Sequence, residues 1–197
     1  MKNTYIALFI LIPVLVFVGW QVWLSLNISR TEQQPYQVIW KKSEYEMREY
    51  PQSLMATVTS SSASYSDMAY GGFGKLAGYI FGGNSDQKSI AMTAPVHIQL
   101  STEGSSMSFV MPASLNQDSM PVPDDSTVRL GLSESRKILT LRFGGWLRDE
   151  RMPALEQQLL LEAQTNGLKV ASAPYYMAYN PPFQLFGRRN EVAVEVE

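Results

Sequence analysis

One order of elements occurs twice along this chain, and it leaves few folds open. Alternating apolar and polar residues mark strands over Tyr36–Tyr50 and Leu54–Thr59. Tyr65, Met68, Ala69, Phe73, Leu76, Ala77 and Ile80 then recur at three- and four-residue spacing. They predict a helix from Ser64 to about Phe81, which Gly82-Gly83-Asn84 ends. Strands follow at Ser89–Leu100 and Met107–Met111. After the connector Met120–Asp125, the order returns: strands at Thr127–Ser133 and Ile138–Phe143, a helix over Asp149–Asn166, and strands at Leu168–Tyr179 and Glu191–Glu197. Leu155, Leu159 and Ala163 form that second helix's apolar stripe, Asp149 supplies negative charge at its start, and Asn166-Gly167 stops it. Two such units predict an α+β domain, a curved antiparallel sheet with two helices packed on it.

Bulk properties exclude several kinds of chemistry. Formal net charge is −2 and the Lys and Arg residues form no cluster, so no nucleic-acid partner is expected. There is no cysteine, which rules out disulfides, thiolate nucleophiles, Fe–S clusters and Cys-ligated zinc or haem. A single histidine, His97, rules out multi-histidine metal sites. No catalytic constellation emerges. Glu44, Glu46 and Glu49 read as the solvated side of a strand, and Asp124-Asp125 as a turn. Gly71-Gly72-Phe73-Gly74 lacks the spacing of a nucleotide loop. Its glycines weaken a helix by ~1 kcal/mol each relative to alanine, which flexibility or the close approach of a flat ligand would explain.

The N-terminus is a separate element. Tyr5–Leu26 is nearly all apolar, interrupted only by Gln21 and Ser25. As a helix it would extend about 33 Å, the thickness of a bilayer core. Trp20 and Trp23 lie near its distal end, where rings favour a membrane interface. A cleaved signal peptide is the competing reading, but the run is long for one and no small-x-small site follows it. The expectation is a transmembrane signal-anchor with its flank over 1–28, a polar linker over 29–35, and one domain over 36–197. That makes a single-pass membrane protein whose domain would be periplasmic, or otherwise extracytoplasmic, in a bacterium.

Two runs carry a family resemblance. Phe73–Val96 (FGKLAGYIFGGNSDQKSIAMTAPV) sets a proline inside an apolar strand, and Tyr179–Val196 (YNPPFQLFGRRNEVAVEV) closes the chain. Together, in this order, they resemble the SOUL family of haem-binding proteins over roughly 36–196. The resemblance implies a distorted barrel built from a pseudo-twofold repeat. It also implies reversible binding of haem or a related tetrapyrrole, for buffering or carriage. The alternatives are a non-haem small-molecule or protein interaction domain of the same architecture, or a tetrapyrrole-modifying enzyme.

By position, the resemblance assigns Tyr70, Phe73, Ala77, Tyr179 and Phe186 as walls for the porphyrin. Its two carboxylates would then need Lys75, Arg188 or Arg189, since the helix has no other cation between Ala69 and Phe81 and the loop Pro182-Phe183-Gln184 has no lysine. The Arg pair also reads as a turn anchor that bonds carbonyls and carboxylates. Strand alternation sets Met92, Ala94, Val96 and Ile98 on one face and Thr93, Pro95, His97 and Gln99 on the other. On that mixed face His97 reads as a surface histidine; its alternative role is an axial ligand to iron.

Overall fold

The computed structural model describes residues 2–28, 30–181 and 183–197, with side-chain surroundings in the first helix given for 11–26. The linker's first residue, 29, and the loop proline at 182 lie outside the described residues. Helix α1 runs Lys2–Ile28. The strands are β1 (Gln37–Lys42), β2 (Tyr45–Tyr50), β3 (Ser53–Ser60), β4 (Val96–Gln99), β5 (Ser105–Val110), β6 (Arg129–Ser133), β7 (Arg136–Phe143), β8 (Tyr175–Ala178) and β9 (Asn190–Val196). Helices α2 (Tyr65–Asp67) and α3 (Phe73–Ile80) stand between β3 and β4, joined by a π-helical turn over Met68–Gly72. Helix α4 (Met152–Thr165) stands between β7 and β8.

Among the described residues the nine strands form one antiparallel sheet in the order β1-β2-β7-β9-β8-β4-β5-β3-β6. Leaving β1 aside, the order is unchanged when β2, β3, β4 and β5 are exchanged with β6, β7, β8 and β9. The pseudo-twofold axis therefore passes between β4 and β8, where His97 pairs with Met177.

The helices cover one face of the sheet. Leu76, Tyr79 and Ile80 of α3 and Leu155, Leu159 and Ala163 of α4 share a core with Leu139, Leu141, Val192, Val194, Val96, Ile98, Met107 and Phe109. Residues one position along each strand point the other way, onto an inner face where Tyr50, Ile138, Tyr175, Met177, Tyr179 and Ala193 form a second buried cluster with Tyr36 packed against it. The end of α3 needs two glycines. Gly82 has φ of +112°, and a Cβ on Gly83 would lie 2.8 Å from the Gly78 carbonyl oxygen.

Several expectations are corrected. Among the described residues no helix is long and apolar enough to cross a membrane. The fold class therefore has no preceding transmembrane helix, and the signal-anchor, the membrane partner and the single-pass localisation fall with it. The physical reason lies at the distal end of α1. Gln21 and Leu24 are buried. Gln21 Nε2 donates to the Phe183 carbonyl (3.3 Å), the Leu185 amide donates to Gln21 Oε1 (3.1 Å), and Trp20 stacks on Phe183. One side of those last turns, at Gln21 and Leu24, faces protein, while Val22, Trp23 and Leu26 are exposed. The helix expected over 64–81 is broken into two α-helices by the π turn, and β1 is an edge strand outside the repeat. The sheet also keeps two free edges, β1 and β6, so it is an open half-barrel rather than a closed barrel.

Residues 32–35, expected within the linker, lie against the domain as a strap. The Gln34 amide donates to the Ala94 carbonyl (2.8 Å) and the Ala94 amide to the Glu32 carbonyl (2.9 Å). The strap ends at Tyr36, whose ring meets Tyr50 at 5.1 Å.

Candidate functional site

The exposed side of α3 is unusual for a solvent-facing helix. Its residues, with the end of the π turn before it, are Tyr70, Gly71, Gly74, Lys75 and Gly78, and Phe81 follows at the helix end. Only Lys75 is charged, whereas a solvent face is ordinarily polar. Tyr70 is 85% and Phe81 68% exposed. A Cβ built on Gly71, Gly74 or Gly78 would meet nothing within 4 Å. Neither crowding nor a positive φ requires glycine at these three positions. The result is a flat strip of exposed backbone between two projecting rings, with one ammonium beside it. Lys75 Nζ donates to the Thr127 hydroxyl at 3.1 Å.

Ala77 is half-buried beside this strip. Phe73 turns inward: its ring is half-buried and meets Phe109 edge-on at 5.3 Å between centroids. The loop before β9 is built around two arginines. Arg188 is buried, and its Nη1 donates to the carbonyls of Pro181 (2.6 Å) and Gln184 (2.9 Å), with the Trp146 ring 4.2 Å from the guanidinium carbon. Burial lowers its pKa. Arg189 donates to Glu191 Oε1 from Nε (2.9 Å) and Nη2 (2.7 Å). Both guanidiniums thus serve the loop and the sheet. Phe186, at the loop's tip, is 66% exposed. Tyr179 is buried on the inner face and its hydroxyl donates to Glu191 Oε2 at 3.0 Å.

His97 is not a surface residue. It is 7% exposed, stacked on Tyr175 at 5.7 Å, with Nε2 3.0 Å from Gln34 Oε1. The amide oxygen can only accept, so the proton sits on Nε2 and Nδ1 keeps its lone pair. Burial, helped by the charge of Arg136, pushes the imidazole pKa down to about 3, so it is neutral at pH 7. The strap covers a face that strand alternation alone had left open. His97 and the α3 strip therefore lie on opposite sides of the sheet.

The SOUL heme-binding protein family profile matches residues 31–195. The chain belongs to that family. It is 27% identical over 171 residues to Heme-binding protein 1 of Sus scrofa, covering 80% of this chain and 89% of that protein. Heme-binding protein 2 of Mus musculus is 28% identical over 159 residues, covering 75% and 76%. Among solved structures, the C-terminal domain of EcmrR superposes with a TM-score of 0.54 at 11% identity, over 82% of this chain and 98% of that one. A hydrolase from Listeria innocua gives 0.56 at 11% identity, over 81% and 94%. These two likenesses concern the fold alone.

The candidate site residues thus divide among three places. Tyr70, Lys75 and Ala77 lie on or beside the exposed strip, while Phe73 faces the core. Phe186 and Arg188 belong to the loop before β9, and Tyr179 and His97 to the inner face. Phe81 is not among the assigned walls, although it falls off the helix's apolar stripe, and its ring is exposed. The buried Glu191 was missed because Glu191 and Glu195 alternate with valines in β9, as solvated residues do.

Proposed function

We propose that this SOUL-family domain binds haem or a related tetrapyrrole reversibly on the exposed strip of α3, for buffering or carriage. The observation that carries the reading is the set of three helical glycines with open space above them. Each lowers helix stability by ~1 kcal/mol relative to alanine, and nothing in the packing compensates. A flat apolar disc would, since it can lie against bare backbone where side chains would lift it away. Tyr70 and Phe81 then flank the disc and Lys75 meets a carboxylate at its rim. The porphyrin ring would supply the Soret band and its iron any redox chemistry. From the opposite side of the sheet His97 does not reach it, so binding rests on contact area. The named relatives, heme-binding proteins by description, support the same ligand class.

The test is a haemin titration of the full chain, followed at the Soret band, beside Gly74→Leu. A saturable shift in the parent chain that weakens about tenfold or more in the variant supports the reading, as expected from losing a face of contact. No saturable shift in the parent chain sinks it.

A further inference from the structure

The strap encloses a pocket against the domain, and no residue of α3 lines it. It measures about 430 Å³, within the range that holds small organic molecules. Three parts of the chain line it: Glu32 and Gln34 from the strap, Ala113 and Leu115 from the loop after β5, and Leu54 and Leu132 from β3 and β6.

Charge narrows the occupant first. Glu32 is the one charged residue in the lining. Its Oε1 accepts from the Ala113 amide at 2.8 Å, which fixes the side chain to the opposite wall. Among the described residues Glu32 forms no ion pair. Arg189 reaches Gln33 of the strap at 3.5 Å, but it is already paired with Glu191. Glu32 is also exposed, so an incoming cation meets a carboxylate that is held in place and open to it. An anion, a porphyrin carboxylate included, would meet like charge there.

The rest of the lining decides the kind of cation. A quaternary ammonium group is recognised by aromatic faces, and no lining residue is aromatic. A primary ammonium group instead donates three hydrogen bonds. Gln52 and Gln117 bring amide oxygens to the same pocket. Leu54, Leu115 and Leu132 offer apolar surface to an aliphatic chain.

We propose that this pocket binds an aliphatic primary amine, its ammonium group on Glu32 and its chain against Leu54, Leu115 and Leu132. The proposal does not depend on haem.

The backbone amide of Ala113, bonded to Glu32, reports on the site in the 15N-resolved NMR spectrum of the full chain. At pH 7, where an alkylamine is charged, hexylamine should move that signal saturably. Hexanoate should not move it, and hexyltrimethylammonium should bind more weakly than hexylamine. Going from butylamine to hexylamine should tighten binding up to about fourfold per methylene buried. Glu32→Gln keeps an acceptor for the Ala113 amide and removes the charge. It should leave the melt unchanged and weaken hexylamine about fivefold, the upper end for an exposed ion pair. Leu132→Ala, at an exposed position of the edge strand β6, should weaken hexylamine about threefold and stands in if the first variant misfolds. No saturable movement of the Ala113 signal, equal binding of hexanoate or hexyltrimethylammonium, or unchanged binding in both variants overturns the proposal.

Discussion

The Arg48 guanidinium reaches across β7 to the Glu191 carboxylate, Nη1 lying 2.5 Å from Oε2 and Nη2 2.9 Å from Oε1. Both side chains are almost wholly buried, at 1% and 0% exposure. Glu191 also accepts from Arg189 and from the Tyr179 hydroxyl. Burial alone would raise its pKa, but the bonds and charges of Arg48 and Arg189 outweigh that and hold it low. Removing Glu191 leaves the buried Arg48 with the partly exposed Glu46 as its counter-charge and takes the carboxylate from Arg189. Glu191→Gln should therefore cost about 3–5 kcal/mol, read from urea unfolding. Replacing the pair together with Arg48→Met and Glu191→Leu should recover part of that loss, because well-packed apolar residues replace buried ions at little cost, while Arg189 and the Tyr179 hydroxyl still lose their acceptor. A double variant as unstable as the single one would show that the pair does more than cancel charge.

His97 should make stability fall on mild acidification. Its folded pKa of about 3 lies below the ordinary 6.5. Between those values the unfolded chain takes a proton that the folded chain refuses. Stability is complete above pH 6.5 and declines below it, with a limiting slope of about 1.4 kcal/mol per pH unit. Glu191 acts in the same direction, but only below its ordinary 4.5, as pH falls toward its lowered folded value. The window from 6.5 to 4.5 therefore isolates the histidine. Urea midpoints at pH 7, 6 and 5 should decline in the parent chain and stay level in His97→Gln.

The glycine strip makes two measurements move in opposite directions. Gly74→Ala and Gly78→Ala add methyl groups into open space. Each should raise stability by up to ~1 kcal/mol, through helix propensity alone. The same methyls lift a flat ligand off the backbone, so haemin affinity should fall as the melting temperature rises. If both quantities rise together, α3 is not the binding face.

Much of this fold is legible in the residues, and one part is not, for a single reason. The alternation of Ile138–Phe143 marks β7, and the Leu155–Leu159–Ala163 stripe marks the buried side of α4. Alternation assigns residues to two faces, but it does not say whether both are covered. Met47 faces the helices as its pattern implies, yet Arg48 beside it is equally buried on the inner side. Glu46, expected in solvent, accepts from Arg48 Nε at 2.8 Å. The cover comes from the strap, whose polar Gln-Gln-Pro composition reads as linker. Asp149 is similar. It stands before α4 but accepts from the Tyr65 amide at the start of α2, a contact between residues 84 positions apart. The glycines of α3 were conspicuous in the sequence; which of them face open space depends on the π turn and on packing.

Tyr70 and Phe73 stand three residues apart on the segment assigned to the porphyrin, and they should respond to alanine in different ways. Tyr70 is 85% exposed. Among the described residues its ring makes no hydrogen bond or ring contact, so Tyr70→Ala should leave stability within about 0.5 kcal/mol. If the ring flanks a bound disc, the same change should weaken haemin by about tenfold, corresponding to roughly 1–3 kcal/mol of lost contact. Phe73 is half-buried and meets Phe109 edge-on at 5.3 Å. Phe73→Ala opens space against the core and should cost about 2–3 kcal/mol of stability, toward the low side for a phenylalanine because part of the ring is already exposed. Its effect on haemin should follow the loss of folded chain and disappear when binding is measured well below the melting temperature. Haemin titration and urea unfolding on both variants separate the roles. A large affinity loss in Phe73→Ala with unchanged stability, and none in Tyr70→Ala, would move the ligand from the exposed strip to the inward side of the helix.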